Sequence, residues 1–399
     1  MTSLASFELP KWIDLNKNNA SLVLAGSATP ALSIQDLIDL SSDRQTTSSN
    51  LSFGSLKLSL GSPRGGEPLR KQIAELYNEL ITADHIFPAH GTSGANSLVF
   101  QSLLSPGDHV IAMYPSYTQL ISLPKSSGVD VSYWTLDLQN RAQANIQQLK
   151  DLIRPTTKMI VLNNPNNPLG TILAREMQTE IVALARSHGL TILVDEIFRP
   201  LFHDGTEAPP SFVELSSDYE NIIVTSSMSK AWGLSGTRIG WLATRNAAVL
   251  TKCFDRGLYT TMALSSIDEG IAAEALSERC RPQILAKHSE LVRKNLVLLD
   301  NFISQHQDVC SWTRPNAGGT AFVHFASGGV PVDDVDFCRK LKEKAGVLLA
   351  PGSLCFALGG DRDFRGFVRL HLTVQPEIME SALVAIDNFL GDYLKGQFS

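Results

Sequence analysis

Lys230 stands in the stretch Ser226-Ser227-Met228-Ser229-Lys230-Ala231-Trp232-Gly233-Leu234-Ser235-Gly236-Thr237-Arg238-Ile239-Gly240, among small hydroxyls and glycines with no neighbouring acid to pair it. The β-branched run Ile222-Ile223-Val224-Thr225 leads into it and reads as a buried strand. A lysine held off a strand end can be desolvated, which favours its neutral, nucleophilic amine, and such an amine forms a Schiff base with a carbonyl. The ordinary alternative is a lysine in a solvated loop. Ser227, Ser229 and Arg238 argue against it, because two hydroxyls and a guanidinium at these spacings suit a phosphate.

Further residues carry the same chemistry. Ser93-Gly94-Ala95 opens an apolar helix running to Leu104, and the free N–H groups of such a turn form an anion seat. Alone it reads as a plain N-cap; beside Ser227 and Arg238 it reads as the phosphate seat. The apolar run Leu190 to Phe198 is a buried strand ending in Asp195 and Glu196, and an acid there is costly without a cationic partner. Lys158 to Leu162 is another strand, ending in the turn cluster Asn163-Asn164-Pro165-Asn166-Asn167-Pro168-Leu169-Gly170. Leu22 to Gly26 is a short strand ending at a glycine, or else a turn before Pro30. Arg369 lies in a closing strand, Arg365 to Thr373, among apolar neighbours.

Taken in order, these segments resemble the class I/II aminotransferases, fold-type I enzymes that use pyridoxal phosphate. The pattern Ser-x-Ser-Lys, Gly-Leu-x-Gly, Arg-x-Gly is present as Ser227, Ser229, Lys230, Gly233, Leu234, Gly236, Arg238 and Gly240; Asn-Pro-Asn-Asn-Pro-x-Gly runs from Asn164 to Gly170; Pro-Gly-Ser-x-Phe and Val-Arg-Leu close the chain. The resemblance runs from about Gly26 to Arg369 and implies a role for each position. Lys230 holds the cofactor and moves the substrate's α-proton. Asp195 pairs with the pyridine nitrogen and Tyr117 stacks on the ring. Asn167 donates to the phenolic oxygen. Ser93, Gly94, Ala95, Ser227 and Arg238 hold the phosphate. Arg369 clamps the substrate carboxylate in two parallel hydrogen bonds, with Gly26 and Asn167 beside it. Glu196 is given no chemistry. The implied reaction is transfer of the amino group of an α-amino acid to a keto acid. The alternative is a lyase, or a synthase or cyclase of specialised amino-acid metabolism, and the Leu-Gly-Ser-Pro-Arg-Gly run is closest to synthases that cyclise an arginine-derived side chain. Two departures favour that alternative. Leu60 stands where a tyrosine reaches the partner subunit's cofactor phosphate, and Phe198 where a tyrosine bonds the phenolic oxygen; neither donates a hydrogen bond. A homodimer is expected, since family sites lie at a subunit interface.

The elements that must position these residues alternate strand and helix, which predicts a mostly parallel sheet with helices on both faces and ligands beyond the strands' carboxyl ends. A smaller α+β part closes the chain. With 399 residues two domains are expected, a large one over 52–290 and a small one formed by 1–51 and 291–399. Ser33 caps a helix over Ile34 to Leu40, Thr46 to Asn50 reads as loop, and a helix fed by Leu58 to Arg70 extends to about Leu80. Arg175 to His188 reads as a helix, Ser265 to Gln305 as one long helical stretch, and Val332 to Lys344 as another helix. The net charge of -6 and the lack of basic runs argue against a nucleic-acid partner, and leave no DNA-binding module for a regulator. No Gly-x-Gly-x-x-Gly follows an early strand, which argues against a nicotinamide reductase. Nine histidines form no metal-ligand spacing; His85, His90 and His109 read as loop or helix-end residues. Five dispersed cysteines read as reduced thiols, and Met1 to Asp14 reads as no signal peptide, so a cytoplasmic protein without a membrane span is expected.

Overall fold

The computed structural model describes residues 4–203, 205, 207–358 and 363–393. Residues 1–3, at the start of the stretch read as no signal peptide, and 394–399, at the end of the expected small domain, lie outside them.

Seven strands form the main sheet: β1 (Ile86–His90), β2 (His109–Tyr114), β3 (Asp130–Thr135), β4 (Thr157–Asn163), β5 (Thr191–Asp195), β6 (Ile222–Ser227) and β7 (Ile239–Ala243). Their spatial order is β1-β7-β6-β5-β4-β2-β3. The pairs from β3 across to β6 are parallel, and β7 runs antiparallel to both β6 and β1. The fold class is therefore α/β with a mostly parallel sheet, as expected. Strands β2 and β6, and β5 beyond Thr191, are buried on both faces, so their sequences show no alternation. Adjacent registers bring Asn163 beside Asp195, and Asp195 beside Thr225. One carboxyl edge thus carries the ends of β4, β5 and β6. Pro88 is tolerated in β1 because that strand is an edge.

A second, antiparallel sheet is built from β8 (Cys310–Trp312), β9 (Thr320–Ser327), β10 (Val330–Pro331), β11 (Ala350–Pro351) and β12 (Phe367–His371), in the order β10-β9-β12-β11 with β8 on β9. Its apolar face and the helices Asp334–Ala345, Pro376–Tyr393 and the distal half of Arg281–Gln305 form a second core. Leu24 joins that core, and Leu22–Val23 pairs in parallel with Val347–Leu348. The helix α1 (Glu8–Asn16) is pinned there by Trp12 Nε1, which donates to the Leu349 carbonyl at 2.8 Å. Among the described residues no helix is long and apolar enough to cross a membrane, and all five cysteines are free and buried.

Several expectations need correction. Thr46 to Asn50 is not loop but part of a helix, Arg44–Asn50, started by the Asp43 side chain accepting from the Thr46 N–H; its polar outer face hid it, and Thr47 turns inward to Glu274. The helix expected to reach Leu80 ends at Ala74, because Asn78 forms a turn, accepting from Leu80 and donating its own N–H to Glu214. The long helical stretch is two helices, Ser266–Ala275 and Arg281–Gln305, and Pro282 opens the second. His109 is not at a loop or helix end: it is buried in β2, bonded to Thr157 and Ser132 on neighbouring strands. The capping box of Ser33 and Asp36 on Ile34–Leu40 and the helix Arg175–His188 match their expectations.

The close approach of β7 to the helix α2 (Gly91–Leu103) rests on Gly240, where a Cβ would lie 2.3–2.6 Å from Gly91 backbone atoms. Gly240→Ala is expected to lower unfolding stability by about 2–4 kcal/mol, whereas Gly236→Ala, with nothing within 4 Å of its Cβ position, should change it little; chemical denaturation compares the two.

Candidate active site

Lys230 follows β6 by three residues and is half-buried, its Nζ donating to Ser27 Oγ at 2.9 Å. Burial pulls its pKa down to about 7; Arg369 and, less, Arg238 act in the same direction, against the opposing pull of Asp195. Asp195 ends β5 and is 2% exposed. Its Oδ2 accepts from Asn96 Nδ2 at 3.0 Å and its Oδ1 from the Ile197 N–H at 3.1 Å. Asn96 is fixed in turn by Thr225 Oγ1, which donates to its Oδ1 at 2.6 Å. The carboxylate thus receives two amide donors and no cation among the described residues, and burial pushes its pKa up to about 6.

Asn167 follows β4. Its N–H donates to Asn163 Oδ1 at 2.7 Å, and its own Oδ1 accepts from Arg369 Nη1 at 3.0 Å. With the oxygen taken, its Nδ2 donor remains for the cavity. Arg369, on β12, is 1% exposed, and its Nη2 donates to the carbonyls of Ala25 at 2.5 Å and Gly26 at 3.1 Å. Its Nε is buried with no partner among the described residues. Tyr117 sits edge-on to Phe7, centroids 5.2 Å apart, and burial raises its phenol pKa.

These side chains line one cavity of about 220 Å³, walled by Leu9, Ser27, Thr92, Ser93, Tyr117, Asn163, Asn167, Asp195, Ile197, Phe198, Ser229, Lys230, Ser235, Arg238 and Arg369. At one end α2 starts with Gly91 at φ +64°, and the Arg238 guanidinium lies so near that a Cβ on Gly91 would be 2.6 Å from its Nη2. Arg238 itself is left-handed, at φ 54°, and donates to the Ser235 carbonyl at 3.0 Å and Ser229 Oγ at 3.4 Å. Ser93, Tyr117, Asn167, Asp195, Lys230, Arg238 and Arg369 are thus brought together. Gly26 lines an adjoining outer cavity of about 570 Å³, which shares Leu9, Ser27, Tyr117, Lys230 and Arg369 with the first. Gly94, Ala95 and Ser227 do not line the inner cavity: Gly94 is half-buried and lines a separate pocket beside Phe87 and Met262, Ala95 is buried in α2, and the Ser227 hydroxyl is buried, accepting the Ser229 N–H at 3.2 Å. Phe198 lines the cavity with an apolar edge, whereas Leu60 is 73% exposed and outside it.

Leu9, Ser27, Thr92, Asn96 and Ser235 were not predicted as site residues, whereas Ser229 was expected, with Ser227, as a phosphate-suited hydroxyl. Asn96 stands one helical turn after Ser93, a spacing that marks a shared face. Ser229 and Ser235 lie inside the quoted lysine motif. Leu9 and Ser27 carry no local signal.

The set fits an anionic, cationic-ringed aldehyde. An Arg and a helix start face an anion at one end, an unpaired buried carboxylate faces a cation at the other, and a lysine of lowered pKa stands between. Fold and cavity are those of a fold-type I enzyme whose cofactor is pyridoxal phosphate. Residues 11–386 match the profile of the family Aminotransferase class I and II, and the chain belongs to that family. It is similar to the crystal structure of a PLP-dependent aminotransferase from Streptococcus suis, at 34% identity and TM-score 0.88 over 98% of this chain and 99% of that one. It is 27% identical to aspartate aminotransferase of Thermotoga maritima over 82% of each chain. It is 30% identical to capreomycidine synthase of Streptomyces vinaceus over 78% of this chain and 76% of that one.

The buried acid makes a prediction for the cofactor-free protein. The Asp195 pKa rises on folding from 3.8 to about 6, so its contribution favours the fold below pH 3.8 and is lost as pH rises to about 6. That loss amounts to about 3 kcal/mol. Asp195→Asn should remove this part of the pH dependence, leaving the cofactor-free variant at neutral pH at least as stable as the parent while weakening cofactor binding; melting curves against pH, with and without cofactor, read both effects.

Proposed function

We propose that this protein transfers the amino group of an α-amino acid to a keto acid. The observation that carries the reading is that the Lys230 amine, the Asp195 carboxylate and the Arg369 guanidinium line one cavity. Thr92, Ser93, Ser235 and Arg238, which line one end of the cavity, would hold the cofactor phosphate. Gly94, Ala95 and Ser227 are read as support for that seat through the backbone and through Ser229. Tyr117 would cover the ring, Asp195 would face its nitrogen, and Asn167 would offer Nδ2 to its phenolic oxygen. When bound, pyridoxal phosphate supplies an electron sink for the bond broken at the substrate α-carbon.

The chain's own part is binding and proton transfer. Arg369 receives the carboxylate, and the Asn167 oxygen and the Ala25 and Gly26 carbonyls hold its guanidinium plane in place. Lys230, its pKa near 7, is a base at neutral pH and an acid once charged, so Nζ can take the α-proton and deliver it again. Asp195 stays ionised opposite a cation because its two amide donors favour the charged form.

Lyase or cyclase chemistry is the second reading, supported by Phe198 inside the cavity and by the similarity to capreomycidine synthase. The division into domains at 52–290 and 1–51 with 291–399 belongs to the proposal; the second core, drawn from Leu24 and from Val292 to Leu390, supports the C-terminal part of the small domain, whereas Leu9, Ala25, Leu37 and Leu51 pack in the larger core. A homodimer also belongs to the proposal, supported by the exposed apolar residues Leu56, Leu58, Leu60, Tyr259 and Met262. A cytoplasmic site of action is likewise proposed, on the free cysteines.

Borohydride treatment of the loaded protein should fix the cofactor to the peptide bearing Lys230; Lys230→Ala should abolish that adduct and cut turnover roughly a thousandfold. Cofactor fixed at another lysine would defeat the reading. Amino acids screened with and without a keto-acid acceptor separate the reactions: acceptor-dependent product means transfer, ammonia release without acceptor means elimination. Arg369→Lys should raise KM for the amino acid about ten- to a hundredfold, because an ammonium cannot reproduce the planar two-point grip.

A further inference from the structure

The segment Ala25 to Thr29, which belongs to no helix or strand, bonds two of the three cationic residues of the cavity, Arg369 and Lys230. The carbonyls of Ala25 and Gly26 accept from Arg369 Nη2, Ser27 Oγ accepts from Lys230 Nζ at 2.9 Å, and Thr29 Oγ1 donates to the Lys230 carbonyl at 2.6 Å. The segment is tied at both ends, the Leu24 N–H donating to the Leu348 carbonyl and the Leu32 N–H to the Gly233 carbonyl, each at 2.9 Å. His371, buried behind it and bonded to Thr373, leaves only 3.4 Å between its Nδ1 and a Cβ position on Gly26. Ser27 therefore sits on a fixed backbone, at the join of the inner and outer cavities.

We propose that Ser27 is a positioning residue for Lys230, its hydroxyl holding the ε-amine at the join of the two cavities while that amine carries a proton to or from the substrate. The proposal rests on the reading of Lys230 as the proton-moving base. A lysine amine freed from its partner has a flexible four-carbon stem and needs a restraint to stay aimed. A hydroxyl suits the task because it accepts from the ammonium and donates to the neutral amine, so it follows both protonation states without ionising. Two hydroxyls expected near such a site are missing here, at Leu60 and Phe198, and Ser27 places one against the amine itself. The charged and titratable groups facing Lys230 are Asp195 from β5, Arg238 from the turn before β7, and Arg369 and His371 from β12; burial holds His371 neutral, near pKa 3.

The test uses Ser27→Ala and Ser27→Thr. In the cofactor-free protein, carbamylation of Lys230 by cyanate, followed by mass spectrometry across the pH range around its midpoint of about 7, titrates the amine directly. Loss of an acceptor for the ammonium should move that midpoint to lower pH in Ser27→Ala, and Ser27→Thr should restore it. In the loaded enzyme, Ser27→Ala should lower kcat about tenfold with KM within about twofold, the size of one hydrogen bond to a charged group; Ser27→Thr should recover most of it. An unmoved Lys230 midpoint in Ser27→Ala, or a loss confined to KM, would overturn the proposal. Cofactor fixed away from Lys230 would instead sink the functional reading, and a shifted midpoint would still establish the Ser27 contact.

Discussion

A carboxylate buried at the end of β5 and supported by amides rather than a cation is the constraint around which the molecule is arranged. Asp195 can stay there because Asn96 and the Ile197 N–H each donate to it, and Asn96 is held by Thr225 on the neighbouring strand. An uncompensated acid in such a place is costly, and a cation supplied from outside removes that cost. In the proposed reading charge compensation is left to the cofactor, and the same burial that raises the acid lowers the lysine. A site of opposed, shifted groups is kept from collapsing into an internal ion pair by the rigid strand ends that hold its members apart.

The parallel sheet supplies that rigidity. Registers between β4, β5 and β6 place Asn163, Asp195 and Thr225 side by side, so the turns after them open on one edge. The second sheet contributes across it: β12 brings Arg369 to within 3.0 Å of Asn167, and the N-terminal segment closes over both. The proposed carboxylate grip of Arg369 and the orientation of Asn167 are thus mechanically joined, since the same guanidinium bonds Asn167.

The expectations that failed did so for identifiable reasons. The helix Arg44–Asn50 is polar in sequence, and what makes it helical is a cap at Asp43 together with Thr47 reaching Glu274, more than two hundred residues away. The strands Ile86–His90 and Asp130–Thr135 and the helix Ala247–Thr260 went unpredicted: the first holds a proline, the second lies at the sheet's far edge with three exposed or half-exposed polar positions, and the third is amphipathic but follows an apolar strand closely. Ser227 and Ser229 show the finer limit. Both hydroxyls lie in the motif, yet only the fold decides that one turns into the protein and the other into the cavity.

From the sequence alone came the strand-and-turn units and the chemistry at their ends: Lys230, Asp195, Asn167, Arg238 and Arg369 were legible because burial runs and turn residues are local, and because their order matched a family pattern. The tertiary structure alone decided which of these residues meet and what surrounds them. Ser27 reaches Lys230 across 203 positions and Arg369 reaches Asn167 across 202, contacts set by sheet register and by the docking of one core against the other. Local preference fixes a backbone's direction over a few residues, whereas a contact between distant segments exists only once the entropy of closing the chain between them has been overcome by the packing of both cores.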